Sequence, residues 1–335
     1  MKSCRRRLSG IECEVALSDG AASFDVRDQE KLHMMRKSLR MPLMVMTMVA
    51  AMMATMPAQG LTFHDSFSTA GLSLAGGPEG IAYDPTTENL WVVTSAGPSG
   101  YSSLYEISTA GSLLASYNIA LNRIKGVSML PSGNLLVSNV GTVSDGGGLY
   151  EIDRGGALVG GGIQLTIDFP SDDPDGLFYS SATNTVFVAD DTDEMIYEFD
   201  LFGSLVSSLN TKDVLSGILD PEGIAVDPVT GHYFLADASK GTRSIYELSP
   251  FGDILNTVDF VALGFLDPEG MTLDMARHLL YVADDNAYSI VSFKIDSATK
   301  PGGSGSAAVP EPMTAMLALM GLACIGSSVR RRRLA

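Results

Sequence analysis

The chain has 335 residues, 45% hydrophobic and 18% charged, and between Leu61 and Val309 it carries 32 Asp and Glu against only 9 Lys and Arg. A surface with 23 excess negative charges repels nucleic acid and anionic lipid and attracts cations, so nucleic acid is excluded as a partner. The three cysteines, Cys4, Cys13 and Cys324, all lie outside that stretch, so its fold uses no disulfide; a domain of roughly 240 residues is large enough to be held by its core alone.

Residues 1–33 have mixed charge and no hydrophobic period, and read either as an unusual leader or as an upstream stretch ahead of a true start at Met34 or Met35. Residues 34–60 read as a signal peptide: Arg36, Lys37 and Arg40 precede the apolar run Met41 to Met56, and Ala58-Gln59-Gly60 offers small residues at cleavage spacing. This predicts export.

From Leu61 to Asp296 a two-part phrase repeats five times. An acidic, glycine-ended turn (Gly77-Pro78-Glu79-Gly80, Arg123-Ile124-Lys125-Gly126, Asp173-Pro174-Asp175-Gly176, Asp220-Pro221-Glu222-Gly223, Asp267-Pro268-Glu269-Gly270) is followed by a hydrophobic run. Those runs end in Ser95, Asn139, Asp190, Asp237 and Asp284. The glycines are 46, 50, 47 and 47 residues apart, which is blade length for a β-propeller and too long for most β-helix coils. Each unit holds four short strands, as in Gly223 to Val226, His232 to Ala236, Ser244 to Leu248 and Ile254 to Phe260. The fifth unit stops after its third strand, Ile290 to Ile295, and Leu61 to Phe67 is predicted to supply the missing one and close the ring. The fold expected over 61–296 is therefore an all-β propeller of five four-stranded blades, with six as the alternative.

Residues 297–308 form a Gly/Ser linker, and 309–335 contain Pro310-Glu311-Pro312, the apolar stretch Met313 to Val329 and Arg330, Arg331, Arg332 and Arg333. This order resembles the PEP-CTERM sorting signal of Gram-negative bacteria. The resemblance implies recognition by the membrane protease exosortase, a transmembrane helix before processing, and a final place at the cell surface or in an exopolysaccharide matrix. An ordinary anchor accounts for the apolar run and the arginines but not for Pro310-Glu311-Pro312.

In an antiparallel blade the start of the first strand and the end of the second share one edge. That places Glu79, Lys125, Asp175, Glu222 and Glu269 around the mouth of the central channel, with Asp190, Asp237 and Asp284 next outward. Carboxylates held this close repel one another unless protons or cations intervene, and oxygen-rich rings suit Ca²⁺. Asp-Pro-Glu-Gly-Ile-Ala followed by Ala-Asp resembles the SdiA-regulated and NHL-type propellers and, more distantly, the SMP-30/gluconolactonase group. That second resemblance implies a divalent metal at the channel mouth used in lactone hydrolysis, with Glu79 and Glu222 as ligands and Asp175 and Glu269 in support. Lys125 departs from it, as do Ala82, Ala225 and Thr272 in place of an aromatic.

Three uses of the acids stay open: turn formation alone, turn formation with a bound cation, and catalysis. Asp84, Asp227 and Asp274 are predicted to start hairpin turns on the opposite face. His64, His232 and His278 lie away from the acids, so no catalytic residue is assigned, and Trp91 is expected in the core. Asp190-Asp191-Thr192-Asp193-Glu194 lacks the glycine and distal glutamate of an EF-hand and reads as a solvated loop or a weak calcium site. The function expected is a binding module presenting its acidic face to an exopolysaccharide, a surface protein or a cation; the alternative is a metal-dependent lactonase or esterase.

Overall fold

The computed structural model describes residues 60–97, 101–141, 147–160, 173–214 and 220–296. All lie in one of the two compact units of the chain, Ala58–Ala335. The leader, most of the signal segment, the linker and the C-terminal motif with Pro310 to Pro312 and Arg330 to Arg333 lie outside the described residues. Among the described residues no helix is long and apolar enough to cross a membrane.

Among the described residues nineteen strands form five antiparallel sheets, each wound outward from an inner strand. The first is β2 (Gly80–Asp84), β3 (Asn89–Thr94), β4 (Ser102–Ser108) and β5 (Leu113–Ile119). The second is β6 (Ile124–Met129), β7 (Leu135–Asn139) and β8 (Gly148–Ile152), three strands among the described residues. The third is β9 (Pro174–Ser180), β10 (Thr185–Asp190), β11 (Met195–Asp200) and β12 (Leu205–Asn210). The fourth is β13 (Pro221–Val226), β14 (Tyr233–Asp237), β15 (Ser244–Leu248) and β16 (Ile254–Asp259). The fifth is β17 (Pro268–Asp274), β18 (Leu279–Asp284) and β19 (Ser289–Asp296), completed by β1 (Gly60–Ser68).

The inner strands pack in the order β2, β6, β9, β13, β17, and β17 returns to β2. The amide of Gly270 donates to the carbonyl of Glu79 at 2.8 Å across that junction. The protein is therefore a five-bladed β-propeller, and the ring leaves no place for a sixth blade. The predicted closure holds: β1 pairs with β19 from Gly60 opposite Asp296 to Ser68 opposite Ser289.

Alternation along each strand builds the core. Successive side chains of a strand point to opposite faces of its sheet, hence to opposite neighbouring blades. Ile81, Leu90 and Val92 pack with Leu279, Tyr281 and Ile290 of the fifth blade, whereas Ala82, Trp91 and Val93 pack with Ile124, Leu135 and Val137 of the second. Three more clusters of the same kind fill the remaining junctions, one buried cluster for each pair of neighbouring blades. Trp91 is 1% exposed and belongs to this core, as expected.

The outer hairpins share a device. Asp153, Asp200 and Ser249 each accept from the backbone amides two and four residues ahead, and Gly156, Gly203 and Gly252 adopt positive φ at the corner.

Candidate functional site

The acidic phrase does not form turns at the channel. Pro174, Pro221 and Pro268 open the inner strands β9, β13 and β17, and Gly80, Gly126, Gly176, Gly223 and Gly270 sit within inner strands without positive φ. Their need is space. A Cβ built on any of the five would lie within 3.0 Å of a neighbouring blade's backbone: Gly80 against Lys125, Gly126 against Asp175, Gly176 against Glu222, Gly223 against Glu269 and Gly270 against Glu79. The five glycines form one continuous seam in which each inner strand touches the next. Gly77 replaces the aspartate of the third, fourth and fifth units for a similar reason, since a side chain there would overlap the backbone of Asp285.

The register puts both predicted groups at one edge. Pro174 pairs with Asp190, Pro221 with Asp237, Pro268 with Asp284 and Ile124 with Asn139. At the centre stands Lys125, its ammonium 3.4 Å from Asp175 and 3.8 Å from Glu222. Burial works against the ammonium, but the charges of Glu222, Asp175, Glu269 and Glu79 outweigh it and hold Lys125 above the ordinary lysine range. The residue that departs from the repeat is thus the counterion of the ring. Of the four predicted ligands, Asp175 and Glu222 stand beside this ammonium, and Asp175, Glu222 and Glu269 fall into three different groups of close carboxylates rather than one.

One ammonium does not neutralise the ring. Burial pushes Glu222 up to about 7 despite Lys125. Burial and the Glu222 charge raise Asp175 and Glu269 well above the usual carboxylate range. Burial also raises Glu79, whose Oε1 accepts from the amide and hydroxyl of Ser95.

Asp190, Asp237 and Asp284 turn their oxygens to local backbone. Asp190 accepts from the Asp193 amide, Asp237 from the Ser239 amide and the Ser239 and Thr242 hydroxyls, and Asp284 from the amides of Leu266, Asp267 and Ala287. The next residue along faces the ring instead. Asp191 joins Asp173 and Asp175 in one trio and Asp220 and Glu222 in another, while Asp285 joins Asp267 and Glu269; within each trio the ligand oxygens lie within 4.8 Å of one another. These oxygen-only groups could hold a divalent metal. The doubled Asp-Asp at 190–191 and 284–285 was the available signal, and a one-residue step along a strand end reverses which side a carboxylate faces.

The opposite mouth of the channel is a cavity of about 700 Å³ lined from all five blades, among others by Tyr83, Met129, Phe178, Tyr179 and Met275. Its acids are satisfied. Asp84, Asp227 and Asp274 accept from the amides of Thr86, of Val229 and Thr230, and of Ala276 and Arg277, as turn formers should. Arg154 pairs with Asp84 at 2.8 Å, and Arg277 with Asp274 at 2.8 Å and with Glu88.

His232 pairs with Glu247 at 2.8 Å, both buried, and so fills the place where Asn89, Asn134 and Thr185 bond the third-strand glutamates Glu106, Glu151 and Glu198. His278 begins the same edge and His64 lies in β1; none of the three reaches the acidic ring.

No family model matches the chain, and no curated protein matches it. Among solved structures it is similar to a glutaminyl cyclase from Myxococcus xanthus (13% identity, 70% of this chain and 96% of that one, TM-score 0.48). It is also similar to a gluconolactonase from Xanthomonas campestris (12% identity, 72% and 99% coverage, TM-score 0.43) and to a chain of a nidogen/laminin complex (14%, 66% and 77%, TM-score 0.44). At these identities and scores, the architecture rests on the blade order of this chain itself.

Proposed function

We propose that this protein is an exported binding module whose acidic propeller face takes up divalent cations, Ca²⁺ foremost, and through them engages an anionic exopolysaccharide or a surface protein. The observation that carries this reading is the concentration of raised, buried carboxylates around the single ammonium of Lys125, with no described histidine at that face. The signal segment and the Pro310-Glu311-Pro312 tail support export, exosortase processing and retention at the surface of a Gram-negative cell. Calcium titration of the purified protein by calorimetry, followed by retention on an anionic polysaccharide with and without Ca²⁺, tests it. Absence of calcium binding, or retention indifferent to calcium, refutes it. Deleting residues 310–335 is expected to release the protein from the surface, and unchanged retention refutes the sorting assignment.

One observation favours the hydrolase reading. Glu222, pushed up to about 7, lies in the range useful to a general acid or base beside a metal. Turnover of a lactone or ester that is lost in Glu222→Gln would establish it in place of the binding module.

A further inference from the structure

The doubled aspartate after β10 brings two groups of carboxylates onto one residue. Asp191 lies with Asp173 and Asp175 of its own blade and with Asp220 and Glu222 of the next. The fourth blade has Ala238 where the third has Asp191 and the fifth has Asp285, so its pair of acids shares the neighbour's aspartate.

An acidic cluster alone is no site, but this one contains a deeply buried carboxylate oxygen without a partner. Asp175 is 1% exposed, and neither of its oxygens accepts a hydrogen bond. Oδ1 forms an ion pair with the Lys125 ammonium at 3.4 Å, whereas Oδ2 accepts no hydrogen bond at all. Oδ1 of Asp191 and Oε2 of Glu222 are buried without hydrogen bonds in the same group. A buried carboxylate oxygen without a donor is costly, and a bound cation removes that cost.

We propose that Asp191 bridges two divalent-cation sites in the seam between the third and fourth blades. Asp173, Asp175 and Asp191 hold one ion, Asp191, Asp220 and Glu222 hold the other, and Lys125 closes the inner side of the pair. The charges agree: five carboxylates and one ammonium leave four negative charges, which two divalent ions cancel. All donors are oxygens, the chemistry of Ca²⁺ rather than of a transition metal, with water completing each shell. The trio Asp267, Glu269 and Asp285 differs in charge, because the Arg243 guanidinium lies 3.5 Å from Asp267. This inference rests on the cation-binding reading above and fixes its place and stoichiometry.

The test is equilibrium dialysis of the purified full-length protein against Ca²⁺ at pH 7.5 after chelation. The wild type is expected to bind two ions per chain, Asp191→Ala none, Asp220→Ala one, and Asp285→Ala two. Chelated Asp191→Ala is expected to melt no lower than chelated wild type, because the substitution removes a repelling charge; that result separates lost binding from lost folding. Two ions retained by Asp191→Ala, or an equal loss in Asp285→Ala, would overturn the bridge while leaving a cation-binding face in place. A wild type that binds no ion overturns both.

Discussion

The two ends of the inner strands use the same residue type to opposite effect. At the opposite mouth Asp84 and Asp274 are buried, yet each accepts backbone amides and faces an arginine. At the acidic mouth Asp175 is 1% exposed and Glu222 and Glu269 8%, and all three carboxylates act on one lysine. Burial alone therefore does not decide how a carboxylate behaves. The donors that the local turn supplies decide it: a hairpin corner offers free amides, whereas an inner strand packed against its neighbour has none to spare.

Substitution of the counterion should show the contrast most strongly. Lys125→Met is expected to cost about 3–5 kcal/mol of stability at pH 8 in chelator, measured by denaturant unfolding, because it leaves buried carboxylates uncompensated. Lowering the pH to 5 or adding Ca²⁺ should restore much of the loss. An equal loss in Arg154→Met would erase the difference between the faces.

Titration should separate them by sign. Glu222, raised from 4.5 to about 7, binds its proton more tightly when folded, so its contribution is full below pH 4.5 and declines as pH rises to about 7. That shift alone is worth about 3 kcal/mol. For Asp84, burial is outweighed by hydrogen bonds from Thr86 and Thr87 and by the Arg154 charge, so its pKa is lowered; its contribution is present above 3.8 and lost as pH falls below it. Melting temperature in chelator should peak near the acid end of the window between these groups, and Ca²⁺ should flatten the decline toward neutral pH. A profile that rises through pH 7 without calcium would contradict the assignment.

The seam beneath the acids gives a smaller effect. Gly223→Ala is expected to cost about 1–3 kcal/mol by forcing the fourth and fifth blades apart, whereas Gly133→Ala, a positive-φ glycine in open space, should lose only what its backbone conformation demands, about 1 kcal/mol. Asp274→Asn is the mildest, about 1 kcal/mol by chemical unfolding, since the amide oxygen keeps one acceptor for the Ala276 and Arg277 amides.

The ring, its closure by β1 and the common edge of the acids were legible because period-2 alternation and a near-constant repeat length carry architecture directly. The role of the glycines was not. Pro-Glu-Gly has the composition of a turn, and only the approach of the next blade shows that Gly223 avoids Glu269 rather than bending the chain. Lys125 read as a break in the pattern because charge balance among five blades is a property of the assembled ring. Asp191 was hidden by its neighbour: Asp190 carries the repeat, and which of two adjacent acids faces the ring depends on the twist at the strand end.

The pairing of β1 with β19 joins Phe67 to Ile290, so the first blade element made must wait for the last. In a chain threaded across a membrane from its N-terminus, the fifth blade stays incomplete until Asp296 has emerged, and its hydrophobic cluster has no finished sheet to cover it. Ring closure then acts as a checkpoint on the whole length: a chain cut short anywhere before Ser289 keeps an open edge and a loose first strand, the features that expose a chain to aggregation and proteolysis.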